Sequence, residues 1–330
     1  MRALVVGGGS WGTAFAGVLA RAGHPVELAC RDPRAVAELT TKRENSRYLP
    51  GIRLEDGVQP VLLDLERQVP DAELIALALP SAAYAETAAQ LRLQPDALVI
   101  ALAKGLDPAT HGLLCDVIAA ATGHDPHRVA PLSGPNHAEE IAAGQPAASV
   151  VASTDPEIAN ELQSALSTTR FRVYASADVR GVQLCGAAKN VIAIAAGICD
   201  GLGFGDNARS ALITRGLAEM TRLGTALGAD PRTYAGLAGL GDLVATCTSR
   251  HSRNHLAGEL LARGVAPEDA EREVGMVVEG LHTAPALAAL AREAGVDLPI
   301  TDAVCSVVTG IAIPDAIATL LARAAPAGEF

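Results

Sequence analysis

Lysine is scarce in this sequence, whereas arginine is common. Among the 26 basic residues of the 330-residue chain, lysine occurs only at positions 42, 104 and 189. Both residue types suit a solvated surface, but only lysine readily loses its proton. Lys42 lies in the polar run 40–44, which favours a surface position. Lys104 and Lys189 are therefore candidates for a chemical role that arginine cannot fill.

An excess of positive charge is also missing. The formal net charge at pH 7 is −11, and the sequence pI is about 5.2. These values argue against a nucleic-acid protein that binds through a broad basic surface, while a small local anion site stays open.

The sequence lacks the long apolar runs that cross or target membranes. A membrane-spanning helix needs about 18 consecutive apolar residues. The most apolar stretch, 191–199, is bracketed by Lys189 and Asp200. The first apolar run stops at the glycine cluster that begins at Gly7, without the pattern of a signal peptide. We therefore expect a soluble, cytoplasmic protein without a membrane span or a nucleic-acid partner.

The cysteine and histidine patterns favour neither disulfides nor metals. The six cysteines include no C-x-x-C pair, and the chain is far too long for a disulfide-stabilised miniprotein. Free thiols in a reducing cytosol are expected. His251 and His255 have i, i+4 spacing, but they lack the Glu of a zincin motif, and no Cys/His quartet is present. The sequence thus predicts no catalytic metal.

The residues that are present predict two domains of different class. Hydrophobic residues make up 49% of the chain, enough for sizeable cores, and 330 residues exceed the usual length of one domain. In the N-terminal half, short apolar runs alternate with helix-like segments, which is typical of a doubly wound, mostly parallel α/β sheet of the Rossmann type. The predicted strands are 2–6, 25–30, 73–79, 97–103, 128–132, 147–152 and 170–174. Several of them are separated by predicted helices near 81–93, 108–121 and 155–166.

After about residue 178 the pattern changes to helical periodicity, with glycine and proline between the segments. We predict an NAD(P)-binding Rossmann domain over residues 1–178 and an all-α substrate-binding domain over residues 179–330. The predicted helices of the second domain are 180–199, 208–227, 232–248, 253–263, 267–274, 282–294 and 301–323.

The glycine-rich segment near the start is the strongest local signal. Gly7, Gly9 and Gly12 fit the pattern G-x-G-x-x-G, directly after a predicted strand and at the start of a predicted helix. The first glycine permits the tight turn, the second lets a pyrophosphate approach the backbone, and the third lets helix and strand pack closely. The pattern predicts a dinucleotide site that includes Ser10 and Trp11, although the single tryptophan also suits a core position.

The end of the second predicted strand bears on the choice between NAD and NADP. An NAD-specific site places Asp or Glu there to hold the ribose hydroxyls. Here Arg31 stands where a 2′-phosphate would lie, with Arg34 within one helical turn, and a guanidinium suits a phosphate dianion. Asp32 keeps NAD open, or it caps the helix that begins at Pro33. We expect an enzyme that prefers NADP or accepts both cofactors.

Two lysines are candidates for the reaction site. Lys104 ends a predicted strand, and the carboxyl ends of parallel strands face the cofactor in this fold. Lys189 lies in an otherwise apolar helix, where its charge is costly unless it is paired or its pKa falls. Either outcome suits a proton donor in carbonyl reduction. The alternative for Lys189 is a domain-edge lysine that extends to solvent.

Two polar segments accompany the lysines. Segment 133–138 offers backbone N–H groups at a predicted helix start. Ser252, Arg253 and Asn254 combine a hydroxyl, a guanidinium and an amide with free N–H groups, which suits a phosphate. The alternative for this second segment is an ordinary capped helix with an exposed arginine.

Taken in order, these segments resemble the bacterial type of NAD(P)-dependent glycerol-3-phosphate dehydrogenase. The resemblance covers nearly the whole chain, and the ordered set of motifs is highly specific to that family. The family couples a Rossmann domain with a helical domain, a 6-phosphogluconate-dehydrogenase-like architecture. The motifs are the glycine loop with Trp11-Gly12-Thr13, Tyr48-Leu-Pro50, Lys104-Gly105, Ser133-Gly134-Pro135, Lys189-Asn190-Val191, Gly239-Leu-Gly-Asp242-Leu243, Ser252-Arg253-Asn254 and Val278-Glu279-Gly280.

The resemblance implies reduction of dihydroxyacetone phosphate to sn-glycerol 3-phosphate and the reverse reaction. It also implies that the sn-glycerol 3-phosphate primes phospholipid synthesis. It also implies that Lys189 is the general acid for reduction and the base for oxidation. The matching substrate positions are Lys104, Gly134, Asn136, Asp242, Ser252, Arg253 and Asn254. The matching cofactor positions are Gly7, Gly9, Ser10, Trp11, Gly12, Arg31, Lys104, Ala138, Arg253, Val277 and Glu279.

One segment departs from the family pattern. The family usually has Gly-Pro-Ser-Phe-Ala where this chain has Gly134-Pro-Asn136-His137-Ala138. Asn136 can still form a hydrogen bond to a hydroxyl or a phosphate. His137 replaces an apolar ring with a titratable one, and we hypothesise that it adds a pH-dependent contribution to binding.

Other functions stay open at this point. A β-hydroxyacid or 6-phosphogluconate-type dehydrogenase and a ketopantoate-type reductase share this architecture, but neither accounts for the Trp-Gly-Thr and Ser-Arg-Asn segments together. A non-catalytic dinucleotide-binding module would need the glycine loop but not Lys189. A homodimer is compatible with an apolar helical domain of this size, although no motif indicates one.

Overall fold

The computed structural model describes residues 1–323 and contains two compact units. The first unit comprises residues 1–103 and 112–182, and the second comprises residues 104–111 and the chain from residue 183. Within the second unit, the Asn190 Nδ2 donates to the Lys104 carbonyl at 2.7 Å and so holds the first residue of segment 104–111. The domains 1–178 and 179–330 remain our proposal for the functional division.

One eight-stranded sheet forms the centre of the first unit, with strand order β10-β9-β8-β7-β6-β1-β2-β5. All its neighbouring strands are parallel except β8 and β9, which are antiparallel. Strands β3 and β4 pair separately as an antiparallel hairpin. The strands are β1 (Ala3–Val6), β2 (Val26–Cys30), β3 (Glu44–Asn45), β4 (Leu49–Arg53), β5 (Val58–Leu62), β6 (Leu74–Leu77), β7 (Leu98–Ala101), β8 (Val129–Ser133), β9 (Ala147–Ala152) and β10 (Phe171–Ser176).

Helices cover both faces of this sheet. Side chains alternate between faces along a strand, and the two apolar cores divide β1 in that way: Ala3 and Val5 belong to one core, Leu4 and Val6 to the other. The doubly wound, mostly parallel prediction is confirmed. The helices of the first unit are α1 (Ser10–Arg21), α2 (Pro33–Lys42), α3 (Leu65–Gln68), α4 (Tyr84–Gln90), α5 (Leu114–Thr122), α6 (Ala138–Ala142) and α7 (Pro156–Leu166).

The sequence analysis missed the hairpin β3–β4 and the edge strand β5. Pro60 lies inside β5, and proline argues against a strand because it cannot donate to the ladder. Here β5 pairs only with β2, at the end of the sheet, where that missing N–H is tolerated. The helix predicted at 108–121 begins later than expected, at Leu114.

The described part of the second unit contains helices and no strand. The helices are α8 (Val179–Gly201), α9 (Asp206–Ala226), α10 (Pro231–Tyr234), α11 (Asp242–Thr248), α12 (Arg253–Ala262), α13 (Pro267–Val274), α14 (Glu279–Glu293), α15 (Pro299–Val308) and α16 (Ile313–Leu321). Two predicted helices were wrong as single elements. Segment 301–323 breaks at Gly310, whose φ is +104°, and segment 232–248 contains a π-helical turn at Leu237–Gly241 between α10 and α11.

Helix α8 is the apolar centre of the second unit. It is the one helix in residues 1–323 that is long and apolar enough to cross a membrane, yet 94% of its apolar window is buried inside the protein. It crosses α12 at a pair of glycines. A Cβ on Gly197 would lie 1.9 Å from the His255 carbonyl oxygen, and one on Gly258 would lie 2.2 Å from the Ile194 carbonyl oxygen. The two helices approach closely because neither position carries a side chain.

Candidate active site

The glycine loop between β1 and α1 has the geometry of a dinucleotide-binding turn. Gly7 has a φ of +117°, and a Cβ there would lie 2.3 Å from the Ala78 carbonyl oxygen. A Cβ on Gly12 would lie 1.9 Å from the Gly7 carbonyl oxygen. A Cβ on Gly9 would meet nothing within 4 Å. The first and third glycines are thus required by the turn and its packing, and the second faces open space that a pyrophosphate can approach.

Asn45 of β3 braces this loop, and the sequence analysis did not identify it. Its Nδ2 donates to the Gly8 carbonyl at 3.0 Å and to the Thr13 Oγ1 at 2.7 Å. The side chain is buried. The only sequence signal is an amide residue in a polar run, which is far too common to indicate a contact with a loop more than 30 positions earlier.

Trp11 carries an unpartnered donor at the start of α1. Its ring packs against Phe15, with ring centroids 5.6 Å apart, so part of the side chain belongs to the core. The indole Nε1 is buried and has no hydrogen-bond partner among the described residues. Buried N–H groups are rarely left unpaired in native proteins. The free donor therefore fits a ligand acceptor beside the glycine loop.

The end of β2 separates the roles of Arg31 and Asp32. The Asp32 Oδ1 accepts a hydrogen bond from the Arg34 backbone N–H at 2.8 Å and caps α2. Arg31 is exposed. The Asp32 carboxylate, which could have bound the ribose hydroxyls of NAD, is thus engaged as a helix cap, whereas the Arg31 side chain is exposed to solvent.

A second polar group follows β8 in the same unit. Gly134 has a φ of +143°, and Asn136 accepts a hydrogen bond from the Ser149 Oγ at 2.7 Å. Ala138 is buried at the start of α6, which packs against α1. The Asn136 Nδ2 and the Ser133 Oγ are buried and have no hydrogen-bond partner among the described residues.

The carboxylate of Asp242 joins the two candidate lysines in the second unit. Its Oδ2 lies 2.7 Å from the Lys104 Nζ, and its Oδ1 lies 3.0 Å from the Lys189 Nζ. Asp242 is 2% exposed and Lys189 is 6% exposed. Two ammonium groups thus share one buried carboxylate, which leaves the cluster with an excess of one positive charge. Lys42, by contrast, forms an exposed ion pair with Glu38, so its predicted surface position is confirmed.

Thr246 fixes the direction of the Lys189 ammonium group. Its hydroxyl donates to the Asp242 carbonyl oxygen at 2.6 Å, as expected one helical turn along α11. Since the hydroxyl has a single proton, its oxygen is left to accept from the Lys189 Nζ, 2.6 Å away. The sequence analysis missed this residue, although its i+4 spacing from Asp242 places both on one helix face.

Burial and charge oppose each other in this cluster. Burial lowers the pKa of Lys104 to about 8, although the Asp242 carboxylate partly counteracts that effect. Burial alone would raise the pKa of Asp242, but the ammonium groups of Lys104 and Lys189 outweigh it and lower that pKa. Asp242 is therefore ionised at neutral pH, while Lys104 is poised to lose its proton in mildly alkaline solution.

A chain of amides connects the lysine cluster with the segment Ser252–Asn254. The Asn254 Nδ2 donates to the Asn190 Oδ1 at 2.9 Å, and the Asn254 Oδ1 accepts from the Gly280 N–H at 2.9 Å. Asn190 in turn donates to the Lys104 carbonyl. Both ends of each amide are thus engaged, which fixes their orientation.

Ser252 and Arg253 stand at the N-terminus of α12. The Ser252 Oγ accepts from the His255 backbone N–H at 3.2 Å and so caps the helix, which leaves its own proton available. The Arg253 Nη1 donates to the Val277 carbonyl at 2.9 Å, and Val277 lies two residues before Glu279, where α14 begins. The hydroxyl, the guanidinium and the helix N-terminus together can hold an anion.

Within residues 1–323, no group of three His, Cys, Asp or Glu side chains is arranged to hold a metal ion.

Comparison with known families and structures agrees with this geometry. Residues 3–159 match the family model of the NAD-dependent glycerol-3-phosphate dehydrogenase N-terminus, and residues 178–319 match that of the C-terminus. A glycerol-3-phosphate dehydrogenase [NAD(P)+] of Frankia casuarinae is 47% identical, over 98% of this chain and 96% of its own length. One of Desulfitobacterium hafniense is 47% identical, over 90% of this chain and 84% of its own length.

Solved structures give the same result. The crystal structure of glycerol-3-phosphate dehydrogenase from Coxiella burnetii superposes with a TM-score of 0.91 at 38% identity, covering 98% of this chain and 99% of that one. A ketopantoate reductase from Ralstonia eutropha superposes with a TM-score of 0.58 at 18% identity, covering 94% of this chain and 97% of its own. That second likeness is one of fold alone.

Replacing Asp242 by Asn should destabilise the protein strongly, because two buried ammonium groups would lose their shared counter-charge. We expect the free energy of unfolding at pH 7 to fall by about 3–5 kcal/mol, measured by chemical denaturation. The loss should shrink at pH 9, where Lys104 sheds its proton more easily. Asp56→Asn, in an exposed ion pair with Arg53, is the control. Equal stability of the two variants would contradict the buried-charge account.

Proposed function

Because the chain belongs to the NAD-dependent glycerol-3-phosphate dehydrogenase family, we propose that it interconverts dihydroxyacetone phosphate and sn-glycerol 3-phosphate with NAD or NADP. The relatives carry that name with NAD(P)+ as cofactor. The observation that carries the proposal is the buried Lys189 ammonium group, held by Asp242 and Thr246 in a cluster with excess positive charge.

Lys189 is the proposed catalytic residue. The bound dinucleotide supplies a hydride for the carbonyl carbon in the reducing direction. As negative charge develops on the carbonyl oxygen, the Lys189 Nζ donates a proton to it, and in the oxidising direction the neutral amine takes that proton back. The Thr246 hydroxyl and the Asp242 carboxylate hold this amine by two of its three donors, which leaves one to face the substrate.

Lys104 and Asp242 set the charge around the reacting oxygen. The carboxylate keeps both lysines paired before substrate binds, and the second ammonium group adds positive charge for an anionic substrate. A protonated lysine supplies the electrophilic assistance that a metal ion gives elsewhere. Ser252, Arg253 and Asn254 are the proposed phosphate contacts, since the helix cap, the guanidinium and the amide lie consecutively at the start of α12.

The proposed cofactor contacts comprise the glycine loop and the residues matched by family resemblance. The open approach at Gly9 and the unpartnered Trp11 Nε1 support this assignment in the first unit. We propose that the dinucleotide is held by Gly7, Gly9, Ser10, Trp11, Gly12, Arg31, Lys104, Ala138, Arg253, Val277 and Glu279. Gly134 and Asn136 complete the proposed substrate contacts.

Two further expectations concern the cell rather than the site. The product, a glycerol phosphate, suits a role in phospholipid synthesis. None of the six cysteines, which all lie within the described residues, forms a disulfide, and burial raises the pKa of the Cys247 thiol to about 12, so it stays protonated and unreactive. Free thiols are typical of a reducing compartment, which supports the cytoplasm. The homodimer remains a prediction.

Removal of the Lys189 amine tests the proposal directly. The wild-type protein should oxidise NADPH or NADH when dihydroxyacetone phosphate is added, measured by the loss of absorbance at the nicotinamide band. Lys189→Ala should lower kcat by about 10²–10⁴-fold, the usual contribution of a general acid. Lys42→Ala, which removes an exposed lysine, should keep full activity. Near-normal turnover by Lys189→Ala would reject the proton-donor role, and ketopantoate as the better substrate would reject the proposed activity.

The pKa of Lys104 predicts a pH dependence of substrate capture. With a pKa of about 8, Lys104 is charged below pH 8 and neutral above it, so the excess positive charge is lost as the pH rises. We expect kcat/KM for dihydroxyacetone phosphate to decline above pH 8 by up to tenfold per pH unit. Lys104→Arg stays charged and should abolish that decline, whereas Lys42→Arg should retain it. If kcat/KM of Lys104→Arg declined with the same pH midpoint as that of the wild type, the decline would be due to the titration of another group.

Arg31 predicts the cofactor preference. Because its guanidinium is exposed at the end of β2 while Asp32 caps α2, loss of Arg31 should weaken NADPH binding. We expect Arg31→Ala to raise KM for NADPH by about tenfold, the size of a charge-assisted hydrogen bond, and KM for NADH by less than about twofold. Arg53→Ala serves as the control. Equal changes for both cofactors would show that Arg31 does not read the 2′-phosphate.

A further inference from the structure

Two side chains meet where β8 ends beside β9 in the first unit. The antiparallel register places Ser133 opposite Val150. At Gly134 an added Cβ would lie 3.0 Å from both the Ala148 carbonyl oxygen and the Ser149 Cα. The absence of a side chain at Gly134 therefore lets the loop after β8 lie directly against Ser149, and this contact brings Asn136 within reach of the serine hydroxyl.

The hydrogen bond between Ser149 and Asn136 has a defined direction. The Ser149 Oγ donates to the Asn136 Oδ1 at 2.7 Å, a typical O–H···O length that is shorter than most N–H···O bonds. Ser149 is completely buried, so solvent cannot replace its hydroxyl. The bond fixes the amide with its oxygen toward Ser149 and its nitrogen away from it.

This orientation leaves donors without acceptors. The Asn136 Nδ2 is buried and has no hydrogen-bond partner within residues 1–323, and the same holds for the nearby Ser133 Oγ. Burial of an amide N–H₂ without an acceptor is unfavourable and uncommon in native proteins. An acceptor oxygen from a bound ligand would satisfy it.

We infer that Ser149 is a positioning residue that makes Asn136 a hydrogen-bond donor to an acceptor oxygen of the phosphorylated substrate. The inference rests on the proposed function. A ketone or a phosphate monoester presents acceptor oxygens, and an amide turned by half a rotation would instead present its own oxygen and repel them. Ser149 thus acts through Asn136 without touching the substrate itself.

A double-mutant cycle tests the inference. Ser149→Ala should raise KM for dihydroxyacetone phosphate by about fivefold, the size of one hydrogen bond, with kcat and KM for NADPH changed by less than about twofold. In the Asn136→Ala background, Ser149→Ala should have almost no further effect on KM, because the amide it orients is already gone. Ser153→Ala is the matched control: Ser153 is also buried just after β9, and its Oγ donates to the His127 carbonyl at 2.6 Å.

Three results would overturn the inference: an unchanged KM in Ser149→Ala, an equal effect of Ser149→Ala with and without Asn136, or a rise in KM for NADPH in place of the substrate. The last result would indicate that the Asn136 amide contacts the cofactor and not the substrate.

Thermal denaturation checks that each variant is folded. If Ser149→Ala is not, Ser149→Cys keeps a similar size with a weak donor and should raise KM in the same direction. An inactive wild-type protein would overturn the proposed function and this inference together, whereas an active wild type with an unaffected variant overturns this inference alone.

Discussion

The shared carboxylate of Asp242 is the constraint on which the chemistry of the second unit depends. Removing one ion from water costs several kcal/mol even after the protein relaxes, and three charged side chains are buried or nearly buried here. Burial opposes the charge of Lys104 and the charge of Asp242, and each of these two groups stabilises the charged form of the other. The three residues come from separate parts of the chain, so the cluster forms only when those parts pack together. Lys189, the proposed proton donor, is thereby held in place by Asp242 and Thr246.

In the first unit, glycines rather than buried charges determine the geometry of the candidate site. Gly7 and Gly12 allow the backbone to close a turn that a side chain would block, and Asn45 holds the turn from the outside by its amide. Open space remains at Gly9, and the nearby indole of Trp11 has a donor left over. Such a site contributes little net charge. In the proposed dinucleotide site, backbone N–H groups and the helix N-terminus would hold the pyrophosphate, which suits a chain whose net charge is strongly negative.

Residues that carry a local sequence pattern or a family motif could be predicted, whereas some residues that act only through distant contacts could not. Gly7, Gly9 and Gly12 are recognisable by their G-x-G-x-x-G spacing, and Lys189 is recognisable as a charged residue in an apolar helix. The alternating pattern of strands and helices predicted the sheet, but not its edge, where Pro60 is tolerated only because β5 has a single neighbour. Asn45 was missed because an amide in a polar segment has no distinguishing pattern. Thr246 was missed because a single hydroxyl in a helix is too common to indicate a contact with a distant lysine. Their roles arise from contacts that only the folded chain defines.

The neutral polar side chains of the site share a property that explains why the site needs them. A charge attracts an ion from any direction, so Lys104, Lys189 and Asp242 alone would leave the ammonium groups free to turn. A hydroxyl or an amide has distinct donor and acceptor ends, and engaging one end determines what the other must do. Thr246 donates its proton to a backbone carbonyl, so only its oxygen is left to accept from Lys189. In the same way, the Asn190 amide donates to the Lys104 carbonyl and accepts from Asn254. The Asn254 oxygen in turn accepts from the Gly280 N–H, so both amides have a fixed orientation. The charged residues therefore supply the attraction that holds the cluster together, and the neutral polar side chains determine how its groups are oriented.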